Sequence, residues 1–430
     1  MGSTGSGAAT AGRAPDAARR GGLWRWPWQS RKPTLKRSHP GSPLEVLRVF
    51  LKLGLTSFGG PIAHLGYFRR EFVVRRGWLD ERAYADVVAL SQFLPGPASS
   101  QTGFAIGLMR AGYLGGLAAW AGFTLPSAAA MALFAYSEGA LKGPVGDGLV
   151  HGLKLVAVAI VAQAVLGMAQ SLSPDRPRAT IAALALILTA VAPTAWVQIA
   201  VILLGALAGL FVCRRAAGAV ADVARAPISP RTGILFACIY LGLLALSFVP
   251  ARFGAAALAA AFYRSGALVF GGGHVVLPLL RAAVVDPGWV SDSTFLAGYG
   301  AAQAVPGPLF SFAAYLGVVA HIAPGGVAGA ALALVAIYAP GLLLMMAALV
   351  FWPGLRARTD ARAAMAGANA AVVGLLASAL YDPVWTSAVR GLPDFAVAAA
   401  GFVALIVWRA PPLLVVLATA AAAIALSLAG

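Results

Sequence analysis

The sequence predicts an all-α, polytopic membrane protein, and three observations support this. Of its 430 residues, 60% are hydrophobic and 11% are charged, with a mean hydropathy of +0.81. A soluble domain of this size cannot place such a composition on its surface. Apolar stretches at 113–137, 178–213 and 232–250 are each long enough for one or two spanning helices, which need about 20 residues. These stretches lack the alternation of barrel strands, so helices carry the fold.

The first 42 residues are predicted to be a disordered, basic cytoplasmic tail. Residues 1–40 carry eight Lys or Arg against Asp16 alone, without the apolar core of a signal peptide. The net charge of +17 is concentrated in this tail and in loops that flank apolar runs. We therefore expect contact with the lipid bilayer and no nucleic-acid partner. Cys213 and Cys238 lie in apolar surroundings, so we predict no metal site, no disulfide framework and no cofactor.

The remainder of the chain is predicted to be two homologous halves. "SQFLPGPASS" at 91–100 recurs as "AQAVPGPLFS" at 302–311, and "SFGGP" at 57–61 recurs as "VFGGG" at 269–273. "GLKLVAVAIVAQAV" from Gly152 resembles "GANAAVVGLLASAL" from Gly367 in the same order. The predicted domains are an N-terminal repeat at 43–213, a loop and linker transmembrane helix at 214–250, and a C-terminal repeat at 251–430.

Loop charges predict that the second half is an inverted-topology repeat of the first. Residues 64–82 hold five Arg and three acidic residues, while their counterparts at 275–293 hold Arg281 against two Asp. The pair 137–151 and 352–363 also reverses its sign. Because cytoplasmic loops are enriched in Lys and Arg, the reversal places equivalent loops on opposite sides of the membrane. One consistent threading has four full crossings per half, joined by the linker helix, which turns the second copy over.

Each half also contains an element that cannot cross the membrane as one straight helix. Pro95-Gly96-Pro97 (the first break) divides residues 83–111 into two runs of roughly 13 residues, each covering about 20 Å. Pro306-Gly307-Pro308 (the second break) divides 294–322 in the same way. Broken or re-entrant helices are predicted here. Their freed backbone groups need protein or water partners, which places the breaks beside a cavity.

The breaks are the predicted binding site. A helix that starts after Pro97 or Pro308 presents unpaired N–H groups and a positive dipole end, which favour an anion. Ser99, Ser100 and Gln101 add donors in the first half, whereas the second half offers Ser311. For a single break of this kind, the alternative to a binding site is a kink that only lets helices pack closely. Recurrence of the break, with a glutamine three residues upstream each time, favours a function.

Two Phe-Gly-Gly motifs, at 58–60 and 270–272, are predicted to be a second pair of unwound segments, although single glycine pairs often only allow close packing. Lys52 and Arg264 each lie six residues before these motifs. We predict that both cations face the transport cavity, with structural ion pairing as the alternative. The predicted substrate-binding residues are Lys52, Phe58, Gly59, Gly60, Gln92, Pro95, Gly96, Pro97, Ser99, Ser100, Arg264, Gly271, Gly272, Gln303, Pro306, Gly307 and Pro308.

Further polar residues are predicted to be accessory to this site. Arg110 aligns with His321 and Lys154 with Asn369, so two more positions keep a hydrogen-bonding group, although interfacial snorkelling would explain them equally well. His64 and His274 lie close to the Gly-Gly turns without aligning, so a proton-relay role is a hypothesis for His64. The predicted accessory residues are His64, Arg69, Gln101, Arg110, Lys154 and Asn369.

The motifs resemble those of the chromate ion transporter family in its long, two-domain form. The resemblance is carried by "SFGGPIAHLGYFRREFVVRRGWL", "LSQFLPGPASSQTGFAIG", "FGGGHVVLPLL" and "AQAVPGPLFSFAAYLG", and it spans about residues 43 to 428. Gly273 stands where the motif has proline. The resemblance implies efflux of chromate, with sulfate as a related oxyanion, across a bacterial inner membrane by a multi-pass protein with a cytoplasmic N-terminus. The residues alone predict an anion-selective carrier.

The sequence gives no sign of an enzyme. There is no GxxxxGK[ST] phosphate-binding motif and no HExxH motif. Export needs no ATP, because a dianion that leaves an inside-negative cell gains about 4 to 5 kcal/mol per 100 mV. An anion channel, a carrier for another small oxyanion such as sulfate, and a membrane-embedded enzyme acting on a polar lipid are the alternatives.

Overall fold

The computed structural model describes residues 41–138, 143–192, 194–213, 229–251, 253–270 and 272–429. Every regular element in these ranges is a helix, and they contain no strand. The all-α prediction is therefore confirmed. The predicted basic tail lies almost entirely outside the described residues, as does 214–228 of the predicted linker.

The first half contributes seven α-helices and one π-helical segment, Arg69–Arg75. The α-helices are α1 (Pro43–Thr56), α2 (Gly60–Phe68), α3 (Glu81–Phe93), α4 (Ala98–Glu138), α5 (Pro144–Leu172), α6 (Arg176–Val191) and α7 (Ala195–Val212).

The linker forms α8 (Pro230–Leu246), and the second half follows with its own series. Its elements are α9 (Gly254–Ala267), a 3-10 turn (Gly273–Val275), α10 (Val276–Val284), α11 (Asp292–Ala304), a 3-10 turn (Leu309–Ser311), α12 (Phe312–Val319), α13 (Gly326–Ala357), α14 (Thr359–Ala379), a π-helical segment (Leu380–Trp385), α15 (Thr386–Ala388), α16 (Leu392–Ile406) and α17 (Pro412–Ala429).

Side-chain caps start the helix that precedes each break. The Asp80 carboxylate accepts a hydrogen bond from the Ala83 N–H at 2.7 Å at the start of α3. The Ser291 hydroxyl accepts one from the Thr294 N–H at 3.1 Å at the start of α11. Caps of this kind satisfy N–H groups that have no intrahelical partner. Both α3 and α11 then end before the Pro-Gly-Pro, so both helices are broken where the sequence predicts.

A second reversal follows each break, at or near the residues where the sequence analysis ends the broken elements 83–111 and 294–322. Helix α4 is interrupted at Ala111 (φ −142°, ψ 28°) and Gly112 (φ 67°, ψ −161°), so its legs 98–110 and 113–138 are separate helices. Gly107 packs directly against the Gly115 backbone across this turn. In the second half, Gly317 of α12 packs in the same way against Gly329 of α13. Each break therefore opens a short helix that folds back as a hairpin.

The two halves exchange equivalent contacts. Gly152 of α5 packs against Ala420 of α17, and Gly367 of α14 packs against the Gly205 backbone of α7. The same sequence interval separates Gly152 from Gly367 and Gly205 from Ala420. Reciprocal contacts between equivalent residues are the signature of an approximate two-fold axis. The halves are thus intertwined, since each supplies helices that pack on the long helix of the other.

Among the described residues, four helical stretches are long and apolar enough to span a membrane: 98–137, 144–172, 326–352 and 359–388, although only the leg 113–138 of the first is one uninterrupted helix. These stretches lie in α4, α5 and α13, with the fourth running from α14 to α15, so two belong to each half. Helices α6, α7, α16 and α17 have 15 to 18 residues. At about 1.5 Å per residue they are about 3 to 8 Å shorter than a hydrocarbon core of about 30 Å. The structure is that of a polytopic membrane protein, with fewer full-length helices than the threading of four per half predicts.

Candidate functional site

Each Pro-Gly-Pro break is bound to the Phe-Gly-Gly segment of the opposite half. The Gly96 N–H donates to the Val269 carbonyl oxygen at 2.7 Å, and the Gly307 N–H donates to the Ser57 carbonyl oxygen at 2.9 Å. Val269 and Ser57 are the residues that directly precede the two Phe-Gly-Gly motifs. The four duplicated motifs therefore form one structure between the halves, and backbone of the other half satisfies the central N–H of each break.

Both breaks require glycine at their centre. Gly96 has φ 123° and Gly307 has φ 105°, which is the left-handed region that other residues rarely adopt. A Cβ on Gly96 would lie 3.1 Å from the Gly341 Cα, and one on Gly307 would lie 2.8 Å from the Ser127 Oγ. Gly341 follows Pro340 in α13, and Ser127 follows Pro126 in α4. Each break therefore packs against the helix of the opposite half at the point where that helix contains a proline.

The glycines of the Phe-Gly-Gly motifs also have left-handed backbone. Gly59 has φ 99°, Gly60 has φ 75° and Gly272 has φ 145°, while Gly271 lies outside the described residues. Phe58 and Phe270 are half-buried. Gly273, which replaces the motif proline, contacts Pro61 of the first half. The two unwound segments therefore meet each other as well as the breaks.

The first break is closed by Gln101. Its Nε2 donates to the Pro95 carbonyl at 2.9 Å and to the Gly341 carbonyl at 3.0 Å, and its Oε1 has no hydrogen-bond partner. Pro95 and Pro97 are both buried. Gln101 is fully buried, and its two hydrogen bonds join the first break to α13 of the opposite half. Its Oε1 remains available as a hydrogen-bond acceptor in the protein interior. The second half has Phe312 at this repeat position, so these hydrogen bonds have no counterpart there.

Buried hydroxyl groups surround the start of α4. Ser57, Ser100, Thr124 and Tyr338 are at most 2% exposed, and their side-chain oxygens lack a well-oriented hydrogen-bond partner among the described residues. The ring of Tyr338 lies 5.7 Å from that of Phe310, which follows the second break. The group therefore lies between the breaks.

Thr124 and Tyr338 were missed by the sequence analysis, although a signal was present. "TLPS" at 124–127 and "YAPG" at 338–341 are a further duplicated pair, each with a proline inside a long apolar helix. A matched proline in both halves marks the same kind of position as the matched breaks.

His64 joins the first break to the first Phe-Gly-Gly motif. Its Nε2 lies 3.2 Å from the Ser57 carbonyl oxygen and its Nδ1 lies 3.4 Å from the Ser99 Oγ. A carbonyl only accepts, so Nε2 carries the hydrogen and Nδ1 faces the hydroxyl as an acceptor. His274 has a different partner, the Tyr299 hydroxyl at 2.7 Å. The two histidines are thus not equivalent in structure, as their spacing indicates.

Several predicted site residues lie away from the breaks. Lys52 is on the exposed face of α1, and Gln92 is exposed near the end of α3. Arg264 donates from Nη1 to the Ser247 carbonyl at 2.6 Å and lies over the Phe248 ring, so it holds the end of α8. Arg69 is an exposed partner of Glu81. None of these side chains makes a described contact with either break.

The other predicted residues lie in the interior or at its border. Arg110 lies at the α4 turn, where it pairs with Glu45 at 3.1 Å. Lys154 is buried within α5, at 6% exposure. Its repeat counterpart Asn369 is half-buried in α14 and has an unpaired Oδ1. Gln303 is half-buried beside the second break with its Nε2 unpaired, while Pro306 is half-buried and Pro308 is buried.

Comparison with known proteins agrees with this architecture. The family model described as "Chromate transporter" matches residues 44–210 and again residues 256–425. A chromate transport protein of Pseudomonas aeruginosa is 27% identical over 379 residues, covering 86% of this chain and 88% of that protein. A probable chromate transport protein of Synechococcus elongatus is 27% identical over 410 residues, covering 91% and 98%. A chromate transport protein of Cupriavidus metallidurans is 26% identical over 294 residues, covering 67% and 70%.

No solved structure matches the chain significantly. The two regions matched by one family model coincide with the two halves that exchange contacts in the structure, which confirms the duplication. Because these regions cover well over half of the sequence, the chain belongs to the chromate transporter family.

Proposed function

We propose that this protein exports chromate from the bacterial cytoplasm across the inner membrane and holds the oxyanion at the two breaks between its halves. The observation that carries the proposal is the reciprocal docking of Gly96 on Val269 and of Gly307 on Ser57. This docking encloses unpartnered buried hydroxyls at the first break. Chromate is the substrate class because the relatives are named as chromate transport proteins.

The groups at the first break suit a desolvated oxyanion. The first N–H groups of α4 have no intrahelical partner, and their dipole favours negative charge. Ser100 is 2% exposed and adds a hydroxyl donor in the same turn. Hydrogen bonds to a charged acceptor are roughly twice as strong as neutral ones. The break therefore replaces part of the hydration shell that the anion loses.

The direction of transport follows from the charge of the substrate. A chromate dianion that leaves an inside-negative cell gains about 4 to 5 kcal/mol per 100 mV. An uncoupled carrier for such a dianion runs outward. This direction is consistent with an N-terminus in the cytoplasm, where the basic residues of 1–40 would meet anionic lipid.

A carrier is favoured over a channel because the side chains at the first break are shielded from solvent. Ser99, Ser100 and Gln101 are all buried, and a channel needs a continuous aqueous path through this position. Intertwined halves related by a two-fold axis are the architecture in which one repeat rocks against the other around a central site. Sulfate is a second substrate candidate because it has the same charge and tetrahedral shape. Transport is the proposed role because the family is one of transporters.

We expect inside-out membrane vesicles that contain the protein to accumulate labelled chromate. An imposed potential, positive inside the vesicle, should increase the initial rate, and unlabelled sulfate should compete with labelled chromate. Matched vesicles from cells that lack the protein are the control. Accumulation that does not exceed this control would contradict export.

A further inference from the structure

We infer that the oxyanion is held by the hydroxyls of Ser100, Thr124 and Tyr338, on the approximate two-fold axis. We call these three side chains the hydroxyl cluster. The inference rests on the proposed function and adds the substrate ligands. Two of the three residues come from the first half and one from the second.

The cluster is buried and polar, with unused hydrogen-bonding capacity. Ser100 is 2% exposed, Thr124 is 0% exposed and Tyr338 is 1% exposed. The Tyr338 hydroxyl faces the hydroxyls of Ser100 and Thr124. None of the three oxygens has a well-oriented partner among the described residues. Each buried polar group left in this state costs about 1 to 3 kcal/mol, so a ligand that accepts these hydrogen bonds would recover the cost.

The cluster lies on the symmetry axis. Thr124 and Tyr338 hold the same repeat position, two residues before Pro126 and Pro340 respectively, and they face each other. Equivalent residues of two halves can contact each other only close to the axis that relates those halves. A ligand bound there contacts both halves at once, as alternating access requires of a central site.

Helix geometry adds backbone donors from one side. Ser100 is in the first turn of α4, beyond the first break, where N–H groups lack intrahelical partners. The Tyr338 hydroxyl faces this turn from α13. The helix N-terminus and the buried hydroxyls are therefore two independent features that favour an anion at the same place.

The donors are unequal between the halves. At one repeat position the first half has Thr124 and the second half has Tyr338, whose side chain is longer. At another the first half has Gln101 and the second half has Phe312. Phe312 supplies no hydrogen bond, whereas Gln101 holds the first break against Gly341. The second half contributes the Tyr338 hydroxyl, the buried Ser311 at the repeat position of Ser100, and the apolar ring of Phe310 at the repeat position of Ser99. We therefore expect one oxyanion per chain, with more of its hydrogen bonds donated by the first half than by the second.

Isosteric removal of one hydroxyl tests the inference. In the purified full-length protein, Tyr338→Phe and Thr124→Val should each weaken the affinity for labelled chromate by about 10-fold to 100-fold. Without chromate, the Tm of either variant should be unchanged or higher, since an unpartnered buried hydroxyl has been removed. The rise in Tm on adding chromate should shrink in both variants.

Tyr263→Phe is the matched control. Tyr263 is 6% exposed, and its hydroxyl donates to the Tyr240 carbonyl at 3.1 Å, away from the breaks. This variant should bind chromate as the unmodified protein does. Unchanged affinity in both Tyr338→Phe and Thr124→Val, with normal binding by the unmodified protein, would overturn the hydroxyl cluster and leave the proposed function intact. No binding of chromate or sulfate by the unmodified protein would overturn both.

Discussion

Gly96→Val should reduce chromate export by roughly 100-fold or more, the largest effect that we expect from one substitution. Valine at φ 123° is strained by about 1 to 3 kcal/mol. Its Cβ would also lie 3.1 Å from the Gly341 Cα and 2.9 Å from the Gln101 Nε2. The side chain must therefore push the first break away from the opposite half, which breaks the bond to Val269 and moves the first turn of α4.

The measurement is chromate uptake by inside-out vesicles, normalised to folded protein in the membrane. Gly167→Val in α5 is the matched control, because no other group lies within 4 Å of a Cβ at that position. Gly96→Ala provides a milder test if the valine variant folds poorly. Gly307→Val should cause a smaller loss, since the second half supplies fewer donors to the site. Full export by a folded Gly96→Val variant would exclude this break from the site.

Single cysteines at equivalent loops of the two halves should be labelled from opposite sides of the membrane, an all-or-none result. The reciprocal contacts establish an approximate two-fold axis, and an axis in the membrane plane or normal to it would satisfy them equally. Loop charge decides between the two. The loop around Arg75 is basic, and its counterpart around Asp286 is acidic. We therefore propose that the axis lies in the membrane plane.

Four exposed positions allow this test without changing the charged residues. Cysteines at Val74 and Thr359 should react with a membrane-impermeant maleimide only from the cytoplasm. Cysteines at Val145 and Pro287 should react only from outside. The background protein must lack Cys238, which is exposed. Labelling of the Val74 and Pro287 positions from the same side would show that the halves are parallel.

Local sequence was sufficient to predict the helix breaks. Proline removes a donor and fixes φ, and glycine allows left-handed backbone, so Pro-Gly-Pro interrupts a helix in any surroundings. Duplication of the motif predicted two such breaks in two halves. The reversal at Ala111 and Gly112 lies between the predicted broken element 83–111 and the predicted apolar stretch 113–137, but the close packing of Gly107 on Gly115 across it was not predicted.

The partners of the breaks could not be predicted from local sequence. The bonds from Gly96 to Val269 and from Gly307 to Ser57 join different halves, and their formation depends on the packing of all helices around them. Sequence reasoning placed both motifs at the centre but assigned no hydrogen-bond partners to them. The exchange between halves is a tertiary feature.

Charged residues were the least predictable part of the site. A cation within an apolar stretch suggests a cavity, but a long Lys or Arg side chain can also extend to the protein surface or bind a backbone carbonyl at a helix end. Arg264 binds the Ser247 carbonyl at the end of α8, where a cation also complements the helix dipole. Lys52 is exposed on α1. The neutral residues Thr124 and Tyr338 were overlooked because a hydroxyl in a membrane helix usually bonds within its own helix.

The most direct test of a single oxyanion site between the halves is to locate bound chromium in the full-length protein by anomalous X-ray scattering. We predict one chromium position per chain, close to the hydroxyls of Ser100 and Tyr338 and to the first N–H groups of α4. Competing sulfate should remove the chromium signal from this position. A chromium position beside Lys52 or Arg264, with none between the breaks, would contradict the account.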